Sequence, residues 1–230
     1  MQPRKRLINW LGLLGVVSFI SYMAAVIFAP LAYPGYDWMR QAVSDLSADN
    51  APSLNLWNQL SCLYSVCAIV SIMMVCVYIQ GRLNKTIRVG IYLFAAMNWV
   101  SDVGYGLFPL SKAGYAGTFQ DIMHTYVVTV GVVLLAILSL VLIIIGGCKE
   151  KAYKALAIWA AIILGFMFVG AIGGNLAVNG ILPKSCFGIL ERFSTCSATA
   201  FNAVLGTYLF IRGYGRKNEK TIQTTAKGKR

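Results

Sequence analysis

Charge is what this sequence has least of. Only 12% of its 230 residues are Asp, Glu, Lys or Arg, about half the share of an ordinary soluble domain, while 58% are hydrophobic. That excludes an ordinary soluble protein. Histidine occurs once, at His124, so a zinc pair of the H-x-x-x-H kind is excluded as well. The six cysteines, Cys62, Cys67, Cys76, Cys148, Cys186 and Cys196, contain no C-x-x-C pair, and most fall in apolar runs where a thiol behaves as a small hydrophobe. A G-x-S-x-G elbow, a P-loop and a dinucleotide fingerprint are all missing. No nucleic-acid motif, cofactor signature or soluble domain is visible, so neither a cofactor nor a nucleic-acid partner is expected.

What is present is long apolar runs. About 20 apolar residues carry a helix across the hydrocarbon core. Runs separated by polar punctuation lie at about 8–30, 56–80, 89–109, 122–147, 153–177 and 191–211. The expected fold is an all-α membrane protein of six transmembrane helices forming one domain over 1–212. A basic cytoplasmic tail, 213–230, is expected to be disordered. The start resembles a secretory signal, but the apolar run from Leu7 to Phe28 exceeds an ordinary h-region and Pro30 and Pro34 spoil a cleavage site. It reads as a retained first span.

The net charge of +12 is an orientation device rather than a nucleic-acid footprint. Sixteen of the twenty Lys and Arg residues fall in one alternate set of connections, among them Lys5, Arg6, Arg82, Lys85, Lys149, Lys151 and Arg212. By the positive-inside rule that set is cytoplasmic, which puts both termini inside. Six of the eight acidic residues lie on the opposite, outer side: Asp37, Asp45, Asp49, Asp102, Asp121 and Glu191. Acidic residues contribute little to orientation, so this bias needs another cause.

The first outer connection, "YPGYDWMRQAVSDLSADNAP", holds three of those carboxylates. Trp38, Ala42 and Leu46 recur at four-residue spacing and Asp37 follows a Pro34-Gly35 turn as an N-cap. The pattern predicts a short amphipathic helix over 37–49, lying at the outer interface as a lid. Asp121 and His124, at i and i+3 in "DIMH", share a helical face. Asp102 lies about 20 Å along its span, in the outer third of the bilayer, where a carboxylate is costly unless paired or functional. Glu191 and Arg192 open the last span, followed by a polar stripe, and Gly170 with Gly174 in "GAIGG" mark close helix packing.

At "YPGYDWMRQAVSDL", at "GLFP" followed by "DIMH", and at "GILERFS", the chain resembles the bacterial and archaeal six-span membrane family catalogued as domain of unknown function 998. The likeness runs from about Ile8 to Ile211. It implies the six-span fold and the outer-face motifs, and brings no substrate with it.

The expected site is an outer-leaflet polar cavity in the plasma membrane of a prokaryotic cell. It would bind a lipid headgroup or other small polar ligand through Arg40, Asp45, Asp102, Asp121, His124, Glu191 and Arg192. Arg40 or Arg192 would meet an anionic group, and Asp102 and His124 would orient it. The alternative is an intramembrane lipid hydrolase or transferase drawing on His124, Asp121, Asp102 and Ser44. There His124 is the general base, Asp121 its orienter, and Ser44 or a water the nucleophile. A small transporter is the third reading, weakened because the charges gather at one side rather than at midplane. No metal site is expected, though a mixed set of Asp121, His124, Asp102 and Glu191 stays open. Membrane lipids are the expected partners; the oligomeric state and any Cys62–Cys186 bond are not set by the sequence.

Overall fold

The computed structural model describes residues 5–214, so the expected disordered tail lies almost wholly outside the described residues. Among the described residues the chain is helical, without a strand, in six rods. The first joins α1 (Leu7–Leu11) to α2 (Leu14–Phe28), and the second joins α3 (Leu54–Leu60) to α4 (Tyr64–Ile79). α5 (Lys85–Leu107) is continuous. The fourth rod runs from α6 (Phe119–Ile122) through a π-helical segment, Met123–Thr129, into α7 (Val130–Cys148). α8 (Lys154–Val178) and α9 (Phe187–Ile211) complete the bundle.

Four rods are long and apolar enough to cross a membrane: Leu7–Ala32, Leu54–Ile79, Phe119–Cys148 and Lys151–Val178. α5 and α9 are long as well, but they are more polar, carrying Asn98 and Asp102 or Glu191, Arg192 and Asn202. α9 starts a turn earlier than its apolar run suggests, so Glu191 and Arg192 lie inside the helix rather than at its first residues.

The breaks in the first two rods free carbonyls, which a low-dielectric setting makes expensive unless a donor reaches them. Serines of neighbouring helices supply the donors. Ser21 Oγ donates to Leu60 O at 2.6 Å and Ser18 Oγ to Tyr64 O at 2.8 Å, on either side of the α3–α4 break. Ser71 Oγ donates to Gly12 O at 2.9 Å, at the α1–α2 break. Asn9 and Asn202 reach further carbonyls, Leu209 O at 3.0 Å and Ala68 O at 3.1 Å. Polar side chains here join helices instead of lining water.

Glycines let the backbones approach. A Cβ on Gly206 would collide with Gly12 O, and one on Gly170 would stand 2.6 Å from both Leu190 O and Ser194 N. The "GAIGG" stretch is thus a packing seam between α8 and α9, as its small residues predict. The apolar core, including Ile79, Ile87, Phe94, Leu140, Leu156 and Phe201, fills the middle of the bundle and the end where the described termini lie. The other end, called here the loop end, is polar.

The amphipathic helix expected over 37–49 does not form. Asp37–Gln41 is a turn and only Ser44–Ser47 is helical, as one 3-10 turn. The reason is competition for backbone groups. Asp37 Oδ1 accepts the Met39 N–H at 3.0 Å, Gln41 Oε1 accepts the Asp37 N–H at 2.8 Å, and Asp45 Oδ2 accepts the Ala42 N–H at 3.2 Å. The carbonyls a helix would have used are claimed from α9: Arg192 donates to Trp38 O and Gln41 O, and the Gly188 N–H to Met39 O at 2.8 Å. Trp38 and Met39 end up exposed while Val43 and Leu46 are buried, so the four-residue stripe does not share one face.

Gly206→Ala is expected to lower the thermal midpoint of the detergent-solubilised protein, at about 2 kcal/mol of overpacking. Gly165→Ala, with open space at its Cβ position, should leave the midpoint unchanged or slightly raised.

Candidate functional site

Three of the expected site carboxylates are engaged by loop backbone. Asp121 is fully buried. Its Oδ1 accepts from Ser111 N at 2.8 Å and Ser111 Oγ at 2.9 Å, and its Oδ2 from Ala116 N at 3.0 Å and Thr118 N at 3.1 Å. Thr118 returns the contact by capping the Asp121 N–H. The chain can wrap one carboxylate this closely because Gly114 and Gly117 take φ of +83° and +79°, and Tyr115 follows at +65°. The whole 111–121 loop is folded around one side chain.

Asp45 does the same between loops. Besides the Ala42 contact, its Oδ1 accepts the Gly114 N–H at 2.9 Å, tying the first loop to the second. Asp49 and Asn50 extend this seam: Asp49 N donates to Leu110 O at 2.9 Å, and Gln120 Nε2 donates to Asp49 Oδ2 at 2.9 Å. Burial pushes the Asp45 carboxyl above its ordinary value, against the two backbone donors and the Arg192 charge that lower it. Glu191 takes the third post, accepting the Val43 N–H at 2.7 Å from within α9.

Arg192 is the complement. Nη1 donates to Trp38 O at 2.7 Å, Gly188 O at 2.8 Å and Gln41 O at 3.1 Å, and Nη2 to the Tyr36 hydroxyl at 2.7 Å. The Tyr36 hydroxyl in turn donates to Ala42 O at 2.8 Å, and burial pushes its phenol up to about 12, so it stays neutral. Gly188 is indispensable here because a Cβ would meet Gln41 O and Trp38 O. Arg192 is therefore a loop anchor, and it does not pair with Asp102.

Beneath these loops lies a second polar group. Asp102, half-buried on α5, faces Ser65 and Tyr64 of α4. Tyr64 packs against Tyr22 with centroids 4.9 Å apart, and Tyr22 meets Trp57 edge-on at 6.0 Å. Tyr105, one turn beyond Asp102, packs on the His124 ring at 4.7 Å. Its hydroxyl lies 3.0 Å from Thr129 Oγ1, which donates to His124 O at 2.8 Å, so Tyr105 is the donor of the pair. Glu191 is within electrostatic range of Tyr22 and Tyr105.

A family model described as "Protein of unknown function (DUF998)" matches residues 16–208, which covers every group named at the loop end. The chain belongs to the DUF998 family. No curated protein and no solved structure matches it. The markers Ser44-Asp45-Leu46, Phe108-Pro109, Asp121 and His124 all fall inside the matched stretch, and in this DUF998 chain each has a described contact at the loop end.

The His124–Asp121 dyad is not assembled. Asp121 is committed to the 111–118 loop, and His124 Nδ1 lies 2.8 Å from Phe108 O. Since that carbonyl only accepts, Nδ1 carries the proton and Nε2 is the acceptor. The described contacts of Ser44 run to Ser47 and Glu191, not to His124. Among the described residues no group of three or more His, Cys, Asp or Glu is placed to hold a metal, so the mixed set of Asp121, His124, Asp102 and Glu191 is not brought together as ligands. All six cysteines are free. Arg40 is exposed at the loop end.

Sequence reasoning missed Tyr22, Tyr64 and Ser65. Their signal was available: Tyr22 and Tyr64 are phenols set within apolar runs, where a polar tip needs a partner.

Because Asp45 is raised in the folded protein, its contribution to stability is fully present below the usual carboxylate range, about pH 4, and is lost as pH rises through its folded value. Thermal midpoints of wild type and Asp45→Asn measured from pH 4 to 7 should show the wild type losing ground relative to the variant as pH rises. Parallel curves would remove Asp45 as the group responsible.

Proposed function

We propose that this DUF998 protein is a six-span protein of a prokaryotic plasma membrane, with both termini cytoplasmic, that binds a lipid headgroup or small polar ligand at its loop end. In this reading α5 and α9 cross the membrane too, their polar residues turned toward the bundle or the site. The charge pattern supports the orientation: the basic connections Lys5–Arg6, Arg82–Arg88 and Lys149–Lys154 gather at the end opposite the loops.

The observation that carries the proposal is the position of Asp102. Asp45, Asp121 and Glu191 accept backbone N–H groups and so have structural work. Among the described residues the groups shown to act on or feel the Asp102 charge are the Ser65 hydroxyl and the Tyr64 phenol, at a depth where an ionisable residue is kept for function or pairing, and Arg192 is occupied elsewhere. In this reading the loops stapled by the three carboxylates cover the site, the Tyr105–His124 pair borders it, and exposed Arg40 of the first loop is a cation available to an anionic group.

Native mass spectrometry of wild type, Asp102→Asn and His124→Ala is the test. A lipid or metabolite retained by wild type should fall about tenfold or more in Asp102→Asn, a loss of roughly 1.4 kcal/mol, with the helical circular dichroism spectrum unchanged. Identical mass profiles in all three proteins would refute the site.

A further inference from the structure

The groups that hold the loops leave the seam between α4 and α5 unaccounted for. α5 packs most extensively on α7 and far less on α4. Asp102 is on the α4 side, half-exposed, with Ser65 opposite. The same stretch of the two helices carries exposed residues on the bundle's outside, Cys62, Leu63 and Val66 on α4's side and Trp99 and Val103 on α5, so the seam faces sideways.

Its polar equipment is one-signed. Among the described residues no Lys, Arg or His acts on the Asp102 charge, whereas Arg192 acts on Asp45, Glu191 and Tyr36. Tyr64 and Tyr105 flank Asp102, and their hydroxyls are turned to protein partners, Ser101 and Thr129. Each ring already packs on a neighbour, Tyr64 on Tyr22 and Tyr105 on His124, and what these two side chains have left for a ligand is the remaining ring surface. Trp57 and Tyr22 continue the aromatic series behind Tyr64.

A carboxylate with no cation acting on it and phenol rings close by selects positive charge. Coulomb attraction to the carboxylate and to the negative faces of the rings acts in the same direction, and weak hydration of alkylated ammonium lowers the desolvation cost. A phosphate entering alone would be repelled. We propose that the α4–α5 seam binds an organic ammonium, with Asp102 as its counter-charge and the rings of Tyr64 and Tyr105 beside it. This rests on the reading that Asp102 faces a ligand within the membrane, and names that ligand's charge class. Asp102 stands five residues before the end of α5, about 7.5 Å of helical rise. An amine there arrives either on a lipid headgroup entering sideways or as a free organic cation.

The test uses the full chain in nanodiscs. Wild type and Asp102→Asn are placed in phosphatidylglycerol alone and in an equal mixture with phosphatidylethanolamine, and retained lipid is read by native mass spectrometry. Wild type in phosphatidylglycerol is also titrated with tetramethylammonium chloride, followed by isothermal calorimetry at fixed ionic strength. Preferential retention of phosphatidylethanolamine, falling about tenfold in Asp102→Asn, supports the proposal with a lipid source. Saturable tetramethylammonium binding without lipid preference supports it with a soluble source. Retention of an anionic or uncharged molecule that depends on Asp102, with no ammonium bound, overturns the inference and leaves the ligand site standing. No Asp102-dependent ligand of any charge overturns both. The wild-type titration does not depend on the variant folding.

Discussion

A peptide N–H that leaves a helix at the edge of a bilayer has to find an acceptor, and at the loop end of this bundle the acceptors are carboxylates. Asp45, Asp121 and Glu191 together receive backbone protons from Ala42, Val43, Ser111, Gly114, Ala116 and Thr118. Each proton met in this way is one that water need not meet, which lets Asp121 and Asp45 be buried. Arg192 performs the inverse service for carbonyls. The acidic bias that topology leaves unexplained is therefore largely a bias of loop construction, and Asp102 stands out because it takes no part in it.

The same accounting runs through the bundle interior. Where α1 meets α2 and α3 meets α4 the helical ladder lapses, and Ser18, Ser21 and Ser71 cross to the freed carbonyls. Such contacts require backbones close enough for a short side chain to reach, and Gly12, Gly15 and Gly206 provide that closeness. Small residues and hydroxyls are two halves of one packing solution. It also confines the polar groups of α9 to the bundle side, leaving apolar Phe193 and Ile211 among its exposed residues.

Much of this was legible in the sequence, and unevenly so. Apolar runs and their punctuation located every rod, because twenty-odd residues without charge have few alternatives to a helix. The glycine seam at Gly170 was legible for the same local reason. The helix over 37–49 was not, since its periodicity was sound and the competition came from far away: Arg192 and Gly188 lie about 150 positions on and remove the carbonyls it needed. Asp121 and His124 were correctly placed on one short stretch, yet spacing says nothing of whom a side chain faces, and each found a partner outside that stretch. Asp102 was singled out by depth alone. The phenols of Tyr22 and Tyr64 that accompany it come from two other helices, a proximity no single-chain pattern records.

The π-helical turn at Met123–Thr129 has a bearing on how this chain tolerates length changes. It carries one residue more than α-helical winding needs, and the surplus lets the Thr129 hydroxyl reach the His124 carbonyl while Val128 still packs on Gly104. Removing a single residue there would return the segment to α-helical winding with its two halves still in phase, whereas removing one elsewhere in the rod would swing everything before it, including Asp121 and its captive loop, by about 100° relative to α7. An insertion in the exposed turn at Gly180 would trouble nothing comparable. Indels in this chain are thus governed less by distance from a loop than by whether they disturb the angular phase between one helix's two halves.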